Sequence, residues 1–217
     1  MKLIDHILHT NRSPEVFLPK QGGLFDYVIG AEGIYVHGKR EWLEVCFQTA
    51  FHEIRGLEPV SETFCLGIPR VPESLVREVQ AISMRYGNRG LETLFHLVYS
   101  PVYPYCDGWE LIEPEQTRTA ASCRPLEQGP GSSHDRAIIE IHSHHSMRAE
   151  FSRIDDEDEQ GFRLYGVIGR LNRQPEIRLR AGLYGYFWEI PAALVMNLPA
   201  GLKCCVAADS EEWEKLR

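Results

Sequence analysis

The sequence predicts an α/β fold, a mixed β-sheet flanked by helices and preceded by a small β-rich module. Three observations predict it. Short apolar runs of strand length recur along the chain, an amphipathic helix pattern begins near residue 72, and a second helix start near residue 152 interrupts the later strands. Elements in that order pack as an α/β sandwich around a mixed sheet. A chain of 217 residues can hold one medium domain and a small extra one. The boundary is drawn after residue 68, giving a module of residues 1–68 and a larger domain of residues 69–217.

In chain order, residues 1–20 carry little pattern and are broken by Pro14 and Pro19. Residues 24–29, 33–37 and 43–48 read as strands, with Gly38, Lys39, Arg40 and Glu41 as the turn between the last two. Residues 63–66 read as another strand. His37 and His52 are expected to be surface or satisfied histidines, and nothing in the module suggests chemistry. Pro72 suits a helix start, where its missing N–H is not needed. Leu75, Val79, Ile82 and Tyr86 then recur on one helix side, and Gly87-Asn88 supplies a stop. Residues 90–99 read as a strand with Glu92 at its start.

Further strands are expected at residues 109–112 and 117–122. Residues 126–135, LEQGPGSSHD, have a loop composition. They are expected to be either mobile without substrate or a plain connector. Residues 137–141 form an apolar run entering the core. Residues 162–171 and 177–190 read as two strands around the turn Asn172-Arg173-Gln174-Pro175, and residues 211–216 as a short helix.

The chemistry concentrates in residues 136–158, RAIIEIHSHHSMRAEFSRIDDED. His142 and His144 stand two apart, and in a strand such residues share a face, so both imidazoles can reach one point. Ser152 and Asp155 follow. Two histidines and one carboxylate supply three ligands and leave a fourth position open, the layout of a catalytic zinc site. A plainer reading of each part also stands: a polar strand edge for His142 and His144, and a helix N-cap with its first-turn acid for Ser152 and Asp155. The acids 156–159 suit a helix start; they lack the glycine and terminal glutamate of a calcium loop.

His142-Ser143-His144 followed by Ser152 and Asp155 resembles the signature of the JAMM (MPN-plus, JAB domain) metalloprotease family. The resemblance implies an MPN-type fold for the larger domain and a bound Zn2+. It implies His142, His144 and Asp155 as metal ligands, and Ser152 as a donor that steadies the tetrahedral intermediate. It implies Glu92, at a strand head after the first domain helix, as the acid that activates water. His145 and Phe151 stand where family members usually carry prolines. Glu140 shares the ligand face in a regular strand and is expected to orient His142 from behind.

The family includes zinc isopeptidases, which implies hydrolysis of an amide bond after the C-terminal tail of a ubiquitin-like protein. A sulfur-carrier tail is an alternative substrate, and a non-catalytic MPN scaffold an alternative role. The chain layout also resembles a bacterial branch of the family encoded in PRTRC cassettes, which implies a ThiF-like activating enzyme as a partner.

The net charge of −8 argues against a general nucleic-acid binder. No apolar run is long enough for a membrane span, and the N-terminus lacks the apolar core of a signal peptide. A cytoplasmic, reducing setting is expected, with Cys46, Cys65, Cys106, Cys123, Cys204 and Cys205 as free thiols and no C-x-x-C pair. Cys204 and Cys205 are expected to be buried.

Overall fold

The computed structural model describes residues 4–8 and 23–207. It is a mixed α/β structure, mostly sheet, with a β-rich N-terminal part. The described residues up to Ile68 form one unit and those from Pro69 another.

The first unit is a five-stranded sheet in sequence order: β1 (Ile4–Leu8), β2 (Phe25–Gly30), β3 (Gly33–Arg40), β4 (Leu43–Phe51) and β5 (Thr63–Leu66). β1 lies parallel to β2 and the other pairs are antiparallel. Residues 4–8 therefore form a strand that the sequence left without a pattern, because a parallel pairing is set by a distant partner. Val28, Tyr35, Cys46 and Val60 make a buried cluster. The β3–β4 turn is tighter than expected: Arg40 pairs with Leu43, so Gly38 to Arg40 belong to the strand. Glu44 holds this extension by accepting from Lys39 Nζ at 2.6 Å and contacting His37 Nε2 at 3.0 Å. His37 is thus a buried histidine paired with Glu44 through Nε2, and His52 is exposed.

The second unit carries α1 (Glu73–Gly87), α2 (Ser133–Arg136) and α3 (Arg153–Asp158). Its sheet strands are β6 (Leu94–Tyr99), β7 (Trp109–Ile112), β10 (Ile139–His144), β11 (Phe162–Gly169), β12 (Glu176–Leu183), β13 (Tyr186–Ile190) and β14 (Lys203–Cys204). They run in the order β13-β12-β11-β10-β6-β7, with β14 on β12. A separate hairpin pairs β8 (Gln116–Arg118) with β9 (Cys123–Pro125). β10 sits inside the sheet, parallel to β11 and antiparallel to β6. Every residue of β11 is buried, as a central strand requires. Ile139, Ile141, Leu164, Ile168 and Leu179 are almost fully enclosed. Each contributes about 2–3 kcal/mol of apolar transfer, which makes β10 a rigid base for the residues at its end.

Several elements differ from their sequence reading. The buried face of α1 is Leu75, Val76, Val79 and Ser83, whereas Ile82 and Tyr86 are half-buried. Residues 117–122 are the end and turn of the β8–β9 hairpin, closed by Thr119 N–H donating to Ser122 O at 2.8 Å. Residues 177–190 are two strands, because Tyr184 and Gly185 take φ of 49° and 89° in a two-residue turn between Leu183 and Tyr186. Cys204 and Cys205 are half-buried, and all six cysteines are free. The helix expected at residues 211–216 lies outside the described residues. Among the described residues, no helix is long and apolar enough to cross a membrane.

Candidate metal centre

The site is built where β10 meets the head of β6. Ser143, fully buried between the two histidines, locks this junction. Its N–H donates to Thr93 O at 2.9 Å, and its Oγ accepts from Thr93 N–H at 3.0 Å. Alternation along the strand then turns His142 and His144 to the opposite face. His142 pairs with Leu94. Continuing that register sets Glu92 across from His144, and residues opposed in an antiparallel pair share a face. The β8–β9 hairpin fastens the Glu92 segment. The Gln116 side-chain amide accepts from Leu94 N–H at 2.7 Å and donates to Leu94 O at 2.8 Å. Glu92 N–H donates to Thr119 O at 2.9 Å.

After His144 the chain crosses the end of β11. A Cβ on Gly169 would stand 2.5 Å from Ala149 N and 2.6 Å from Met147 O, so the crossing needs glycine there. Arg170 N–H donates to Met147 O at 2.6 Å and Leu171 N–H to His145 O at 2.7 Å. Arg178 Nε donates to Ala149 O at 2.8 Å. These bonds fix the path that delivers Ser152.

Ser152 caps α3, and the plainer reading of the sequence holds for that residue. Asp155 Oδ2 accepts from Ser152 N–H at 2.6 Å, and Ser152 Oγ accepts from Asp155 N–H at 3.3 Å, a complete capping box. The box uses one carboxylate oxygen. The other, Asp155 Oδ1, stands 3.3 Å from His142 Nε2. Because Ser152 Oγ accepts in the cap, its own proton remains free to be donated outward, and the residue is exposed.

His142 Nε2 and His144 Nε2 lie 3.1 Å apart. With Asp155 they offer three ligand atoms within 4.8 Å of one another, a group that can hold a metal ion. Donor atoms about 3.3 Å apart match the edge of a tetrahedron whose bonds are about 2.0–2.1 Å. The proton arrangement also fits a cation. His144 Nδ1 lies 3.2 Å from the Arg148 carbonyl, which can only accept, so that nitrogen is the donor and Nε2 is left facing the centre. His144 Nε2 stands 3.1 Å from His142 Nε2, which Asp155 Oδ1 also approaches, at 3.3 Å.

Burial holds the His142 imidazole down to about 4, with Asp155 pulling the other way. It is therefore neutral at pH 7, the form that binds metals. Burial pushes Asp155 up, but His142 and the bonds from Ser152 outweigh it and the carboxyl stays below its ordinary range. Glu92 is buried, and among the described residues no hydrogen bond reaches its carboxyl. Burial, with the Asp155 charge adding to it, pushes Glu92 up to about 7.

Glu140 does not support His142, contrary to the sequence expectation. Its Oε2 stands 3.2 Å from His134 Nδ1, 3.3 Å from His96 Nε2 and 3.7 Å from Arg163 Nη1. Burial pushes this carboxyl up, but those groups outweigh it and hold it at about 2. His96, His134 and Glu140 form a second group of donor atoms within 4.8 Å. They also anchor part of the loop expected to move. Residues 133–136 are a one-turn helix capped by Ser132, with His134 on Glu140 and Ser133 Oγ 2.8 Å from His96 Nδ1.

The carboxylate facing His142 Nδ1 is instead Glu159, at 3.8 Å. Arg180 grips its other oxygen through Nε at 2.8 Å and Nη2 at 2.6 Å. Burial pushes Glu159 up to about 8 against the pull of Arg180. Glu159, expected among the acids of a helix start, is instead the C-cap of α3, and nothing in the sequence singles out Arg180. The available signal was spacing: Glu159 stands one helical turn after Asp155, on the same side of α3.

No protein-family model matches the chain, and no curated protein matches it.

Proposed function

We propose that the chain is a zinc-dependent peptidase or isopeptidase of JAMM type, acting on the amide bond after the C-terminal tail of a ubiquitin-like protein. The observation that carries the reading is the convergence of His142, His144 and Asp155 on one point, beside a buried Glu92. Two imidazole nitrogens and one carboxylate oxygen are a donor set of catalytic zinc sites, which keep a position open. A zinc ion held there would supply Lewis acidity, polarising an amide carbonyl and acidifying water.

The chain's own residues take the other parts. Glu92, held near neutrality, accepts a proton from the attacking water and returns it to the leaving amine. Ser152 Oγ donates to the developing oxyanion, an interaction worth about 3 kcal/mol of barrier. The capping box keeps Ser152 and Asp155 in fixed relation, so donor and ligand move together. The extended tail of a ubiquitin-like or sulfur-carrier protein would be held by strand addition. A ThiF-like activating enzyme, which acts on the same tail, is the accompanying partner in this reading.

Metal analysis of protein purified without added zinc tests the reading. One zinc per chain is expected, with loss in His144→Ala and cleavage of a linear ubiquitin-like fusion by the wild type. Full occupancy in His144→Ala would overturn the ligand assignment. Absence of metal from the wild type would leave the non-catalytic scaffold role.

A further inference from the structure

We propose that Arg180 and Glu159 are positioning residues that fix the His142 imidazole, with Nδ1 turned to Glu159 and Nε2 turned to the metal centre. The inference rests on the metal-centre reading above and assigns how that centre is kept in shape.

The geometry runs across three elements. Arg180, on β12, is nearly fully buried. Its guanidinium lies between two rings, 3.9 Å from the Phe151 centroid and 3.7 Å from the Phe187 centroid. Stacking on both faces leaves its N–H groups free only in the plane, and that plane points at acids. Nε and Nη2 both reach Glu159 Oε2, and Nη1 reaches Asp156 Oδ1 at 2.6 Å. Three of its five N–H groups are so bound, and its burial keeps substrate away. Its role is to aim Glu159. Glu159 is the C-cap of α3, and its N–H donates to Asp155 O at 2.8 Å, so it moves with the ligand carboxylate. With Oε2 taken by Arg180, Oε1 is left facing His142 Nδ1 at 3.8 Å. Phe151 closes the arrangement, its ring edge-on to His142 at 6.5 Å between centroids.

An imidazole can present either nitrogen. Ionised, the form a cation at the centre would favour, Glu159 beside Nδ1 keeps the proton there and the Nε2 lone pair toward the centre, and such partners typically alter metal affinity by about 10- to 100-fold. Glu159 and Asp155 would thus reach the same imidazole from opposite ends.

The experiment titrates Zn2+ into Glu159→Gln against a chromophoric chelator, records the Co2+ absorption spectrum, and reads the His142 tautomer from imidazole nitrogen shifts in the metal-free protein at a pH above the Glu159 value of about 8. Glu159→Gln alone leaves the Arg180 charge buried with less compensation and can cost the fold. The double variant Glu159→Gln/Arg180→Met removes that charge and is measured alongside. One site per chain with affinity lowered about 10- to 100-fold is expected in the folded variants, with a changed Co2+ spectrum and loss of the Nδ1–H tautomer. Wild-type zinc affinity in a folded variant would overturn the inference while leaving the function above standing. If the wild type binds no zinc, the function reading fails, and the tautomer decides this one. An Nδ1–H proton lost on removing Glu159 upholds it, and an unchanged tautomer overturns it.

Discussion

Glu92→Gln separates a buried base from an ordinary surface acid, through stability as well as activity. The carboxyl stands at about 7 against an ordinary 4.5. At about 1.4 kcal/mol for each tenfold change, its ionised form costs the fold roughly 3 kcal/mol. Solvent screening at the site mouth reduces this to about 1–3 kcal/mol. The sign follows from proton counting. Between about pH 4.5 and 7 the folded protein holds a proton that the unfolded chain has released, so wild-type stability falls across that window and stays lowered above it. Glutamine cannot ionise. In chelator, Glu92→Gln is therefore expected to melt within a degree or two of wild type near pH 4.5. Near pH 8 it should melt roughly 4–10 °C higher. Zinc should shrink the gain at pH 8, because a cation beside the carboxylate offsets the cost of ionising it. Turnover on a ubiquitin-like fusion should fall by at least about 100-fold with zinc retained. A melting difference independent of pH would show that the Glu92 carboxyl is solvated, and activity retained in the variant would remove it as the base.

Glu140→Gln is expected to leave zinc affinity within about threefold of wild type and to destabilise the second unit by about 2–4 kcal/mol, because Arg163 loses its buried counter-charge; chemical denaturation beside a zinc titration checks both, and a large loss of affinity would restore Glu140 as the support of His142. Zinc affinity is expected to rise from about pH 6 to 8, because a cation favours the ionised forms of Glu92 and Glu159, which stand at about 7 and 8. Calorimetry in buffers of different ionisation enthalpy should then detect proton release at pH 7, and the absence of release would contradict the buried, protonated state of both.

The parts of the site legible in the sequence are those that local periodicity decides. Two-residue spacing sets His142 and His144 on one strand face, and a serine three residues before an acid is a helix-start signature. That same rule hid the double use of Asp155, since a capping box and a ligand need the same spacing and employ different oxygens of one carboxylate. Glu140 failed for the opposite reason. Its spacing from His142 was right for a shared face, but which histidine a carboxylate meets depends on neighbouring strands, and His96 on β6 and Arg163 on β11 reach it first. Arg180 lay beyond reach of any local rule: only the β11–β12 pairing, formed around a buried strand, brings it to the end of α3. The β-hairpin limits were missed in the same way at Glu41–Trp42 and Tyr184–Gly185, where cross-strand pairs outweigh turn composition.

Two histidine–carboxylate clusters share β10, and the donor atoms of each lie within 4.8 Å of one another, so spacing alone does not rank them as metal sites. Charge does. Around His142 and His144 lie Asp155, Glu92 and Glu159, against one guanidinium, Arg180. With all three acids ionised the surroundings carry two excess negative charges, the complement of a dication. Around His96 and His134 lie Glu140 and Arg163, one of each sign. There a dication would add two unbalanced charges near a guanidinium. The Glu140 cluster is therefore a clamp, already neutral and closed, which ties α2 to β10. The Asp155 cluster is the one that can ionise two further acids, Glu92 and Glu159, when a cation arrives.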